Sequence, residues 1–195
     1  MIVLIAFKMK LVIIMPVPRI SFTSSVFSKR PCMQQPACLV WFFNPEHQAV
    51  TGLDVINHFV AYCDPPYCHT EVQFASGEAC SIVFGKTVQM RRRNFDERYY
   101  TGLRVTATAA QLQAAREIAN RLHEEKVPFG VFSPGATYCS RLVADILLGS
   151  GVVRDEDGAM GGRISPSGLW KALHKLPQVQ LLRPQVVSAI DFKDV

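Results

Sequence analysis

Apolar residues in this chain first come in short runs and then, from about residue 108, recur at helical spacing. Ala37 to Phe43 reads Ala-Cys-Leu-Val-Trp-Phe-Phe, a run rich in strand formers that Asn44-Pro45 ends, and it predicts a buried strand. Thr51-Gly-Leu-Asp54 places an acid three residues after a threonine, a helix start. Leu53, Ile56, Phe59 and Val60 continue that helix as one apolar face, with Asn57 and His58 off it. Asp64-Pro-Pro-Tyr67 is a turn that breaks it. Two strand-like runs, His69 to Phe74 and Cys80 to Phe84, then flank the glycine-containing turn Ala75-Ser-Gly-Glu78 and predict a β-hairpin. Thr87 to Met90 extends the sheet toward Arg91-Arg92-Arg93. Asn94 to Tyr99 is a polar connection, and Thr101 to Thr106 a further short strand.

The period then changes. Thr108-Ala-Ala-Gln111 is a capping box. Behind it Leu112, Ala115, Ala119 and Leu122 repeat at three and four, with Gln113, Arg116, Asn120 and Glu124 outward until Pro128. A turn at Ser133-Pro-Gly135 leads to a second helix, whose stripe is Leu142, Val143, Ile146 and Leu147 and whose stops are Gly149 and Gly151. A Gly/Asp-rich loop spans Val153 to Arg163. Ser165-Pro166 is an N-cap with proline at the first helical position, opening a short helix through Trp170 and Leu173, and Val179 to Leu182 is a last strand. Strands followed by helices, without an internal repeat, predict an α+β domain.

Composition sharpens this in three places. A chain of 195 residues that is 49% hydrophobic suits one domain with a sizeable core. A net charge of +5 is modest, and its one dense basic run, Arg91 to Arg93, reads as a solvated strand end or loop; no nucleic-acid signature accompanies it. The six cysteines, at 32, 38, 63, 68, 80 and 139, show neither CxxC pairing nor Cys/His zinc spacing. They predict reduced thiols in a cytoplasm-like compartment, with no metal and no cofactor. Residues 1–32 are apolar but interrupted by Lys8, Lys10 and Pro16, so they are too broken for a membrane span. Their basic and serine-rich composition suits an upstream extension first, with organelle targeting, secretion or contact with a membrane surface as other readings. The domain proper is placed at 33–195.

Cys139 is the residue with chemical promise. At a helix start it lies beside unpaired N–H groups and the positive end of the dipole, which favour a thiolate. The same donors suit an oxyanion. Such a nucleophile needs a base held by a third polar group. His47, His58, His123 and His174 fall in turns, on polar faces or near helix ends. His69 alone heads a strand, where placement is rigid. In that strand Val72 and Phe74 point to one face, and His69, Glu71 and Gln73 to the other, so Glu71 stands near His69. Ser81 on the next strand is the rival orienting residue. On ordinary expectation, a cysteine in an apolar helix is a small core residue and a histidine heading a strand is structural.

The order His69-x-Glu71-x-x-Phe74, Gly77 turn, second strand, long helix, Pro128-Phe129 and then Tyr138-Cys139-Ser140-x-Leu142-Val143 resembles the circularly permuted NlpC/P60 (papain-like) superfamily. The branch it most resembles is the YiiX/YaeF-like group. Ser165-Pro-Ser-Gly-Leu169 resembles the proline-led helix that follows the cysteine helix there, and the likeness spans roughly Cys38 to Leu182. The resemblance implies a permuted papain-like fold, an antiparallel sheet packed against helices, with Cys139 as nucleophile and His69 as base. It leaves the third residue between Glu71 and Ser81. The function it implies is a cysteine hydrolase of the amidase or peptidase kind, acting on a peptide, amide or lipid-ester substrate. An acyltransferase and a non-catalytic binding module on the same fold are the alternatives, and a membrane-surface or nucleic-acid adaptor is a third.

Overall fold

The computed structural model describes residues 35–45 and 64–182. The expected helix after Thr51, His47, His58, Cys32, Cys63 and the 1–32 extension lie outside the described residues. Within them the chain is α+β. Six strands, β1 (Ala37–Phe43), β2 (His69–Gln73), β3 (Glu78–Ser81), β4 (Gln89–Arg92), β5 (Tyr100–Thr106) and β6 (Val179–Leu181), form one sheet. Three helices accompany it: α1 (Ala109–Glu124), α2 (Cys139–Gly149) and α3 (Pro166–His174). The sheet order is β4-β3-β2-β1-β5-β6, and every neighbouring pair is antiparallel.

β1 occupies the middle because its run is apolar on both faces. Val40 lies opposite Val72 on one side and Leu103 on the other, and all three are fully buried. This face, with Cys38, Phe42, Cys80 and Val105, meets Leu142, Val143, Ile146 and Leu147 of α2 in a single core. Helix α2 packs on β2 and β3, α1 on α2 and β4, and α3 on α2 and β6. The opposite face is roofed by the 93–99 connection, where the Phe95 ring stacks on Trp41 at 4.8 Å. That roof changes the expectation for the His69, Glu71 and Gln73 side of β2. The face is polar in composition, yet Glu71 is wholly buried, and Trp41 Nε1 donates to Gln73 Oε1 at 2.9 Å.

The fourth strand is Gln89–Arg92 rather than 87–90, other strand ends shift by one residue, and the largest differences from the hydrophobic pattern are at the hairpin and the end of α1. The hairpin closes around Gly77, whose φ of +80° suits glycine, and Phe74 N–H donates to Glu78 O at 2.9 Å. The second strand therefore begins at Glu78 and ends at Ser81, leaving Val83 and Phe84 in an exposed turn. Helix α1 ends at Glu124, before Pro128, because Lys126 turns into the left-handed region at φ 51°. The capping box is present as expected, with Gln111 N–H donating to Thr108 Oγ1 at 3.2 Å and Thr108 N–H to Gln111 Oε1 at 2.9 Å.

Candidate active site

Helix α2 begins at Cys139 itself. Tyr138 is its N-cap, in extended conformation (φ −136°, ψ 167°), and provides no side-chain cap, so the first-turn N–H groups are not taken up by a capping side chain. The segment before α3 clamps this start. Ser140 Oγ donates to Ile164 O at 2.6 Å, and Ile164 N–H donates to Tyr138 Oη at 2.9 Å. The Cys139 thiol is buried beside the His69 side chain, close to the backbone N–H groups of Thr70 and Ser140. Burial alone raises a thiol pKa, but here the neighbouring His69 and the two N–H groups outweigh it and hold Cys139 below its ordinary 9.0.

His69 opens β2 at the end of the sheet, opposite Phe43. Burial disfavours its protonated form, while the neighbouring Cys139 thiolate and Glu71 carboxylate favour it more strongly, and its pKa is pushed up to about 10. The two opposite shifts have one origin, each group favouring the charged form of the other. His69 Nε2 lies 3.3 Å from Glu71 Oε1, within ion-pair reach but without the alignment of a hydrogen bond. Glu71, not Ser81, is the polar group against this ring. Ser81 is buried on β3 opposite Gln89.

Sequence reasoning missed what holds Glu71. Arg93, the last of the basic run, forms an ion pair with Glu71 Oε1 and donates from Nη2 to Tyr100 Oη at 3.1 Å. Its guanidinium also stands 5.1 Å from the centre of the Phe95 ring. Burial would raise the Glu71 pKa, but His69, Arg93 and Arg91 outweigh it and keep the carboxyl below the usual range. Arg91 and Arg92 are exposed, as expected of a solvated strand end, while Arg93 is partly buried, with its N–H bonded to Gly77 O. The available signal was the alternation of the run: Arg91 and Arg93 share a face, and the strand two places away carries a buried acid.

The remaining candidates lie elsewhere. His123 Nδ1 is 2.9 Å from Val88 O, and His174, the last residue of α3, stacks on Trp170 with ring centres 4.5 Å apart. Cys38, Cys68 and Cys80 are buried and, like Cys139, form no disulfide. Burial pushes Cys38 and Cys80 up to about 12, which makes them poor nucleophiles. Among the described residues no group of three His, Cys, Asp or Glu is arranged to hold a metal ion, and no helix is long and apolar enough to cross a membrane.

Cys139 and His69 open onto a cavity of about 670 Å³, within the range of small-molecule sites. Its lining includes the polar Glu71, Lys86, Arg93, Tyr100 and Arg163 and the apolar Ile82, Phe129 and Val131. A second cavity of about 460 Å³ lies between the loop after α2 and the end of α3. It contains Asp155, Glu156 and Lys175 and none of the Cys139 cluster. Compared with protein-family models, curated proteins and solved structures, the chain matches none.

Proposed function

We propose that the protein is a cysteine-dependent hydrolase of an amide or ester, on a circularly permuted papain-like fold, with Cys139 as nucleophile, His69 as general base and acid, and Glu71 as the orienting group. One observation carries the reading. Cys139 stands at a helix N-terminus beside His69, which Glu71 approaches within 3.3 Å, and Cys139 and His69 both line a cavity; the thiol pKa is held down and that of His69 pushed up by their proximity. The permuted reading is supported by chain order, since the His-bearing strand precedes the Cys-bearing helix, and by the antiparallel sheet on which that helix packs.

The Cys139 thiolate attacks the carbonyl carbon, forming a C–S bond as the carbonyl electrons move to oxygen. N–H groups at the start of α2 stabilise that oxyanion. Imidazolium His69 gives its proton to the leaving amine or alcohol as the C–N or C–O bond breaks. Neutral His69 then takes a proton from water, whose oxygen displaces the sulfur and releases the acid. An amine or alcohol in place of water makes the same site an acyltransferase.

Iodoacetamide labelling with peptide mapping tests this reading. Cys139 should label far faster than Cys38 or Cys80 at a pH well below 9.0, and His69→Ala should abolish that advantage. Labelling no faster than an ordinary buried cysteine, or indifferent to His69→Ala, sinks the enzyme reading and leaves a binding module.

A further inference from the structure

Charge is unevenly balanced in the cavity beside Cys139. Besides His69, its lining holds the basic side chains Lys86, Arg93 and Arg163 against a single carboxylate, Glu71, which is already paired with Arg93. Cys139 and His69 add no net charge, whether as thiol and imidazole or as thiolate and imidazolium. Lys86 and Arg163 are left over. Neighbouring acids do not offset them: Asp64 bonds Ser165 and pairs with Lys171, Asp145 pairs with Arg141, and Glu78 with Arg116. Among the described residues neither Lys86 nor Arg163 has a carboxylate partner. A cleft with surplus charge of one sign concentrates ligands of the other.

Backbone bonds tie both cations to the start of α2. Lys86 follows exposed Phe84 in the turn after β3, and its carbonyl accepts from Phe129 N–H at 3.0 Å. The 128–130 segment is joined in turn to Thr137, two residues before Cys139: Thr137 N–H donates to Pro128 O at 3.0 Å, and Gly130 N–H to Thr137 O at 2.8 Å. Arg163 lies between two anchors on the first turn of α2. Arg141 Nη1 donates to Gly162 O at 2.8 Å, and Ser140 Oγ to Ile164 O at 2.6 Å. The Arg163 guanidinium also stands 4.4 Å from the centre of the Phe132 ring. A ring face steadies a guanidinium without neutralising it, so its N–H donors stay available to an anion.

From this arrangement we propose that the site selects an anionic substrate: Lys86 and Arg163 bind a carboxylate or phosphate group of the amide or ester while its carbonyl stands at Cys139. The proposal rests on the hydrolase reading and specifies its substrate class. The anion serves binding and orientation and takes no part in bond breaking, which stays with Cys139 and His69. Arg93 is not a third anion-binding group, because its charge is committed to Glu71.

The test uses iodoacetamides whose nitrogen carries a methylene spacer of varied length, ending in a carboxylate, a phosphonate or a neutral carboxamide. Each forms a C–S bond on Cys139 and releases iodide. Rates are divided by those with 2-mercaptoethanol, which removes intrinsic reactivity. At the best spacer an anionic reagent should alkylate Cys139 about tenfold faster than the carboxamide. In about 1 M NaCl, where exposed charges are screened within about 3 Å, most of that ratio should vanish. Lys86→Gln and Arg163→Gln should each lower it severalfold and the double variant should abolish it, with circular dichroism and urea midpoints reporting that the fold survives. Lys175→Gln, which removes the same charge at the second cavity, should leave the ratio unchanged. Equal rates for anionic and neutral reagents at every spacer, with iodoacetamide still selective for Cys139 and dependent on His69, overturn the anion site and spare the hydrolase. A full ratio in the folded double variant overturns it as well, and so does faster reaction with a trimethylammonium-ended reagent. Iodoacetamide labelling without selectivity for Cys139 removes the hydrolase reading and the anion site together. A larger ratio for the carboxylate supports the site with a carboxylic acid as the recognised group. A larger ratio for the phosphonate supports it with a phosphate ester.

Discussion

Glu71 is wholly buried, so its charge depends on Arg93 and His69 rather than on water. Arg93→Met leaves that carboxylate without its permanent counter-ion and should destabilise the fold by about 3 kcal/mol, read from urea midpoints at neutral pH. The loss should shrink in acid, where Glu71 takes up a proton. A loss that stays constant with pH would mean that Arg93 acts through packing on Phe95 and Tyr100 instead. The reacting pair gives a second residue-level expectation. An ordinary thiol alkylates faster as pH rises toward 9.0, whereas Cys139 should already be at its plateau below that value and slow only as pH falls through its lowered pKa. Turnover should also fall as pH rises through about 10, because His69 then lacks the proton for the leaving group. A labelling profile with its midpoint near 9.0 would remove the thiolate–imidazolium pair.

At the scale of elements, two helix starts position the site. The start of α2 presents Cys139, and the start of α3 clips the segment that leads into β2. Ser167 Oγ donates to Asp64 O at 2.6 Å and accepts from Tyr67 N–H at 3.0 Å, while Ser165 Oγ accepts from Gly168 N–H at 2.9 Å and bonds Asp64. Ser167→Ala leaves a buried N–H unpartnered and should cost about 1 to 3 kcal/mol in a urea titration. It should also reduce the selectivity of Cys139 labelling, because residues 64–68 lead directly to His69. Unchanged selectivity would show that β1 pairing alone fixes His69. Ser165-Pro166 announced the α3 cap in the sequence, but Asp64 and Tyr67 as its partners, about a hundred residues away, had no local mark.

For the whole molecule, the shifted groups define a stability window, and the sign follows from each group. His69 is raised, so its contribution is full below 6.5 and is lost as pH rises through about 10. Cys139 and Glu71 are lowered, so theirs are full above 9.0 and 4.5 and are lost as pH falls through the folded values. From 6.5, or from the lowered Cys139 pKa where that is higher, up to 9.0 the folded pair (thiolate, imidazolium) and the unfolded pair (thiol, imidazole) hold the same number of protons, so their contribution is flat. Below 6.5 unfolded His69 gains a proton, and above 9.0 unfolded Cys139 loses one; stability falls on both sides. Urea midpoints across pH should show this plateau, and Cys139→Ala should remove the loss between 9.0 and about 10. A variant that keeps that alkaline loss would trace it to other groups.

Local pattern made most of the described fold legible: β1, the hairpin around Gly77, the capping box at Thr108, the α2 stripe and the Ser165-Pro166 cap all rest on contacts within a few residues. The pairing of Cys139 with His69 was also within reach, because a thiol at a helix start needs a base and one histidine headed a strand. Tertiary structure decided the rest. Phe84, read as the end of a strand, lies at the cavity mouth because pairing with β2 and β4 ends β3 at Ser81. Arg93, read as part of a solvated run, holds Glu71 because it follows directly on β4, its N–H bonded to Gly77 O, with its side chain paired to the carboxylate on β2. By itself the sequence determined the elements and the place of Cys139 at a helix start, whose causes are local. Only the packed sheet decided which carboxylate, which imidazole and which guanidinium come together, since their charges depend on distance and on the exclusion of water.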